Sequence, residues 1–242
     1  MDSNANLYLT ADIKISDVVF DNPPVLLMLE HFNINVPLQE KTIKEICLEI
    51  NLNPEVFLSF ANLYCGVCDV SLVHFSYNEI QSVIDFLKNG HNYFLHEKYP
   101  EIRQNLLLLF EVNNQNEIAL VEDFFNEYFK EVTEHLKYED EVVFPYITNL
   151  HRHILQRSPV KDQIAYSVHE YKEHHDDIEE KLNDLKNLLV KYLPGNNDQK
   201  IRRKLFLSLS ALEQDLNIHA KIEDMILIPL VEKMEFDLKA LK

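Results

Sequence analysis

Two stretches of eleven residues carry the same chemistry at the same offsets. His135–Pro145 reads HLKYEDEVVFP and His219–Pro229 reads HAKIEDMILIP. His135 thus corresponds to His219, Glu139 to Glu223, Asp140 to Asp224 and Pro145 to Pro229. A histidine and a glutamate four residues apart lie on one face of an α-helix, one turn from each other. Burying an imidazole above a carboxylate is costly unless something satisfies both groups. A metal ion does so.

The elements that must position these pairs follow from hydrophobic periodicity. Ser76 with Glu79 predicts a capping box opening a long helix over about 77–111. Its apolar stripe is Ile80, Ile84, Leu87, His91, Leu95, Ile102, Leu106 and Leu109, and Pro100 predicts a kink. A second helix over about 117–148 carries Val121, Phe125, Tyr128, Val132, His135, Glu139, Val142 and Tyr146. A third over about 160–192 carries Val168, Tyr171, His175, Ile178, Leu182, Leu185, Leu189 and Tyr192. A fourth over about 199–238 carries Leu205, Leu209, Leu212, Leu216, His219, Glu223, Ile226 and Leu230. Alternating steps of three and four mark a bundle seam. Four such helices with short loops imply an all-α, up-down-up-down four-helix bundle.

Height along the bundle decides whether the polar residues meet. His91, His135, His175 and His219 each lie between 20 and 23 residues from the middle of the adjoining loop, taken at Asn114, Leu155 and Asn196. At about 1.5 Å of rise per residue the mismatch is roughly 3 Å. One histidine per helix therefore sits at one level, with Glu139 and Glu223 a turn away. This set suits a dinuclear metal site with bridging glutamates. Mixed nitrogen and oxygen ligation favours iron or manganese and does not exclude zinc. The order, His-x-x-x-Glu plus lone histidines, differs from the Glu-x-x-His of ferritin-like bundles. The other histidines, His31, His74, His96, His151, His153, His169 and His174, read as surface residues or as neighbours of the ligands.

Residues 1–75 read as a small helical N-terminal domain, and 76–242 as the bundle. Asn22-Pro23, the Thr42/Glu45 capping box and Asn53-Pro54 each open a short helix. Such helices are too short to stand alone and must pack together. Cys47 falls on an apolar face. Cys65-Gly-Val-Cys68 has no second CxxC and no strand–helix context, so it reads as a linker with two thiols. A net charge of −17 disfavours nucleic acid and anionic membrane. Three cysteines are too few for a disulfide scaffold, and MDSNANLYLT lacks the character of a signal peptide, so a cytoplasmic location is expected.

At the doubled pattern, at His175-Asp-Asp and at His91-Asn-Tyr-Phe-Leu through Pro100, the chain resembles a hemerythrin-like domain. It is similar more narrowly to the repair-of-iron-centres family. In the first helix it has one residue more before the proline than that family, which leaves His96 as the substitute for His91. Phe32-Asn-Ile-Asn-Val-Pro-Leu stands where the family's N-terminal domain carries adjacent cysteines. That pair is missing, and only Cys47 is retained. The resemblance implies two non-haem, oxo-bridged iron ions with Glu139 and Glu223 bridging. It implies iron–sulfur cluster repair or iron donation under nitrosative and oxidative stress, with iron–sulfur proteins as acceptors. A sensor or binder of oxygen or nitric oxide at the same site is the alternative. An enzyme reducing nitric oxide or peroxide would need a proton source, Tyr171 or Glu179. A homodimer through the N-terminal helices is a further expectation.

Overall fold

A computed structural model describes residues 9–67, 75–113, 116–156, 167–174, 178–193 and 198–240. These residues form helices joined by turns, with one isolated bridge between Lys14 and Thr42. The chain is all-α, as the periodicity predicts. It divides into two compact units: Met1–Asn89 with Thr148–Asp162 and Lys221–Lys242, and Gly90–Ile147 with Gln163–Ala220.

The first unit begins with four short helices, α1 (Ile15–Asp21), α2 (Val25–His31), α3 (Ile43–Glu49) and α4 (Pro54–Tyr64). Periodicity does not mark α1. The capping signals act as expected at α3 and α4. Thr42 Oγ1 accepts the Glu45 amide while Glu45 reaches back to the Thr42 amide, and Asn53 accepts the Glu55 amide with Pro54 opening the helix. Asn22 instead closes α1, and Pro24 stands at the head of α2. Val25, Met28, Leu29, Ile43, Ile46, Cys47, Val56, Phe57 and Phe60 are buried. Phe32 packs on Phe57, Phe60 and Phe86. His31, expected at the surface or beside the ligands, is a core residue with its ring edge-on to Phe86 at 5.2 Å. An imidazole's apolar ring is accommodated by an aromatic neighbour in this way. The capping box of Ser76 and Glu79 opens a 3₁₀ turn, Tyr77–Glu79, that leads into α5 (Ile80–Tyr93).

In the second unit one core joins four helical segments. α6 (Tyr99–Asn113) contributes Ile102, Leu106 and Leu109. α7 (Asn116–Tyr138) contributes Val121, Phe125, Tyr128 and Val132. α10 (Ile178–Asn187) contributes Leu182 and Leu185, and α11 (Gln199–Ile222) contributes Leu205, Leu209, Leu212 and Leu216. Of the other described helices, α9 (Val168–His174) belongs to this unit, α12 (Ile228–Ala240) to the first, and α8 (Phe144–Gln156) is divided at Thr148. Helices this polar are held by burial of such rows rather than by propensity.

Three interior prolines are handled in one way. Pro100, Pro145 and Pro229 each follow by six residues the start of a π turn, at Phe94–Lys98, Glu139–Val143 and Glu223–Leu227. Proline has no amide hydrogen, and its ring clashes with the carbonyl four residues back. A widened turn, in which the amides of Tyr99, Phe144 and Ile228 bond carbonyls five residues back, makes room for the ring. The extra residue also rotates the buried face. Val143 is buried and Val142 is exposed, and Phe94 rather than Leu95 enters the core fully. Strict 3.6-residue periodicity assigns both positions to the wrong neighbour. Tyr192, expected on the third stripe, is 72% exposed at the end of another π turn, Leu188–Tyr192.

Candidate metal centre

α5 ends by delivering His91, α7 ends at Tyr138 just ahead of Glu139, and α11 carries His219 near its C-terminal end. Among the described residues His91, Glu139 and His219 form a buried group whose potential ligand atoms all lie within 4.8 Å of one another. His91 Nε2 is 3.2 Å from His219 Nε2 and 3.3 Å from Glu139 Oε2. The other carboxylate oxygen, Glu139 Oε1, is 3.3 Å from His135 Nε2 and accepts a long hydrogen bond, 3.4 Å, from the Tyr171 hydroxyl. Three of the six predicted residues therefore converge, and His135 adjoins them through Glu139.

The remaining predicted residues are placed as follows. Glu223 is buried at the head of its own π turn, at the place in the second copy that Glu139 holds in the first, and belongs to the first compact unit. His175 lies outside the described residues. His96, the substitute for His91, is exposed in the π turn after α5.

The walls are apolar and close. The His91 ring stacks on Phe144 with centroids 5.5 Å apart, and Phe94 meets His219 edge-on at 5.7 Å. Gly90 leaves space for His219: a Cβ at that position would lie 3.3 Å from His219 Nδ1 and 3.7 Å from Phe94 Cε2. On the far side of its ring, His91 Nδ1 approaches Asp140 Oδ1 at 3.2 Å. Burial by itself would lower the His91 pKa. The Asp140 and Glu139 carboxylates outweigh it and raise the value to about 9. The pocket therefore favours positive charge.

The donors fit a cation. Glu139 Oε2 and His91 Nδ1 are buried and complete no hydrogen bond. Buried polar atoms without partners are costly in a native fold, and ligation removes the cost. Imidazole with carboxylate suits iron, manganese or zinc.

Gly90 and Asp140 are absent from the expected site, although each left a trace in the sequence. A glycine inside a helix costs about 1 kcal/mol against alanine and calls for a reason, and an aspartate follows the glutamate in both copies of the pattern. The CxxC reading is half accessible. Burial and the Asp21 charge push the Cys65 thiol up, away from reactivity, while Cys68 lies outside the described residues. Burial pushes Cys47 to about 12, consistent with a core residue.

Fold and site together define an all-α protein with a buried histidine–carboxylate cluster built to receive a cation. The chain belongs to the hemerythrin HHE cation-binding domain family, which matches residues 82–231. A search of curated protein sequences returned no match. Among the described residues no helix is long and apolar enough to cross a membrane.

Proposed function

We propose that the chain is a cytoplasmic non-haem di-iron protein that donates iron for the repair of iron–sulfur clusters under nitrosative and oxidative stress. His91, His135, Glu139, His175, His219 and Glu223 would hold the metal. The reading is carried by the buried His91–Glu139–His219 group, in which Glu139 Oε2 has no hydrogen-bond partner. The repetition of the His-x-x-x-Glu pattern extends that reading from one metal to two.

A bound iron pair supplies Lewis-acid and redox chemistry. The chain's own residues do the rest. Six side chains would leave positions on two such ions open to exogenous ligands and to exchange. Phe94 and Phe144 shield the imidazoles from water, and Tyr171 steadies Glu139 through its hydroxyl.

Metal analysis of protein purified without added metal is expected to give about two irons per chain. An iron–sulfur enzyme damaged by nitric oxide should recover activity with the intact protein and not with the Glu139→Ala/Glu223→Ala variant. Equal recovery with both would remove the repair function, and metal-free protein of full stability would remove the di-iron reading with it. An oxygen or nitric oxide sensor is the second reading. It is favoured by the open positions and by a hydroxyl, that of Tyr171, beside Glu139. A stable spectral change with either gas, and no repair activity, would select it.

A further inference from the structure

We propose that Asp140 is a positioning residue of the metal site, holding the Nδ1 proton of His91 so that Nε2 presents its lone pair to the metal. The proposal rests on the metal-site reading above and adds a residue outside the ligand set.

The two nitrogens of His91 face different carboxylates. Nε2 lies 3.3 Å from Glu139 Oε2 and 3.2 Å from His219 Nε2, on the cluster side, while Nδ1 lies 3.2 Å from Asp140 Oδ1. Adjacent residues on an α-helix point about 100° apart. Glu139 and Asp140, which open a π turn, thereby serve opposite edges of one ring. Phe144 stacks on the ring at an interplanar angle of 23°, so its plane is set and only the proton's location remains to be chosen.

Asp140 is otherwise poorly placed for burial. Its side chain is 36% exposed, yet Oδ1 is shut away from solvent and completes no hydrogen bond. A carboxylate oxygen is not buried without a donor at little cost. The donor in reach is His91 Nδ1, 3.2 Å away. A neutral imidazole carries one proton. With that proton on Nδ1, Nε2 becomes the ligand atom, and the hydrogen-bonded carboxylate makes it more basic. Asp224, the matching residue of the second copy, is exposed.

The test compares wild type with Asp140→Ala, Asp140→Glu and Asp224→Ala. Zinc affinity is measured by chelator competition. The His91 tautomer is read from ¹⁵N shifts of metal-free protein at alkaline pH, where the ring is neutral. Asp140→Ala is expected to bind zinc about 10- to 100-fold more weakly and to lose the preference for the Nδ1–H tautomer. Asp140→Glu should restore part of both. Asp224→Ala, which removes the same charge from an exposed place, should change affinity by no more than about twofold. Wild-type affinity and an unchanged tautomer in Asp140→Ala would overturn the proposal, as would equal losses in Asp140→Ala and Asp224→Ala. Failure of the metal reading itself would show as wild-type protein that binds no zinc, and the tautomer comparison would still decide whether Asp140 governs His91.

Discussion

Replacing Gly90 with alanine separates the stability of the helix from the quality of the metal site. Gly90 sits inside α5, where alanine is preferred by about 0.5–1 kcal/mol. The new methyl would lie 3.3 Å from His219 Nδ1 and 3.7 Å from its Cε1. The ring must yield by a few tenths of an ångström, and overpacking of this kind costs about 1–3 kcal/mol. The two effects oppose each other. The net change in metal-free stability should be about 0–2 kcal/mol of loss, a fall in Tm of no more than about 8 °C for a chain of this size. Metal binding has no such compensation, because ligand distances tolerate about 0.2 Å. The expected result is a metal affinity lower by about tenfold, or about 1.4 kcal/mol, with metal-free melting altered little. Thermal melts and chelator competition on the same preparations decide it. A Gly90→Ala protein that melts higher by the full helix preference and binds metal as wild type would refute the claim that Gly90 makes room for His219.

Other outcomes follow from the same geometry. Glu139→Gln removes the buried carboxylate that faces both His91 and His135, so bound metal should fall to near background by elemental analysis. Loss of one member of such a buried pair should destabilise the metal-free protein by about 3–5 kcal/mol in chemical denaturation. The His91 pKa, raised to about 9 in the folded metal-free state, lies above its unfolded value near 6.5. Its stabilising contribution, about 3 kcal/mol, is therefore fully present below about pH 6.5 and lost as pH rises through about 9. Melts of metal-free protein across that window should show the loss, and His91→Asn should flatten it. Thr42→Ala removes the hydroxyl that accepts the Glu45 amide, leaves the Thr42 amide bonded to the Glu45 carboxylate, and should cost about 1 kcal/mol, read as a shifted denaturation midpoint.

Much of the centre was legible before any coordinates. Its polar residues interrupt regular apolar rows, and interrupted rows are visible one helix at a time. His91 could be placed on a stripe and His96 off it from spacing alone, and the structure buries the first and exposes the second. The capping boxes at Thr42 and Ser76 were equally plain, because a cap is satisfied within four residues. The errors at Val142 and Leu95 share one cause. Each lies in a π turn ahead of a proline, where one additional residue per turn moves the buried face to Val143 and Phe94. Proline signalled a disturbance but not its form, since a kink and a widened turn both relieve the clash.

By itself the sequence determined what repeats locally: the class of fold, the apolar rows and the His-x-x-x-Glu pairs. The tertiary structure alone decided which side chains meet across helices. Asp140 became the neighbour of His91, Gly90 the space beside His219 and His31 a core residue against Phe86. None of these follows from periodicity, because each joins residues far apart in the chain or depends on the phase of a turn. Only packing sets those distances, and the candidate metal chemistry depends on them to within a few tenths of an ångström.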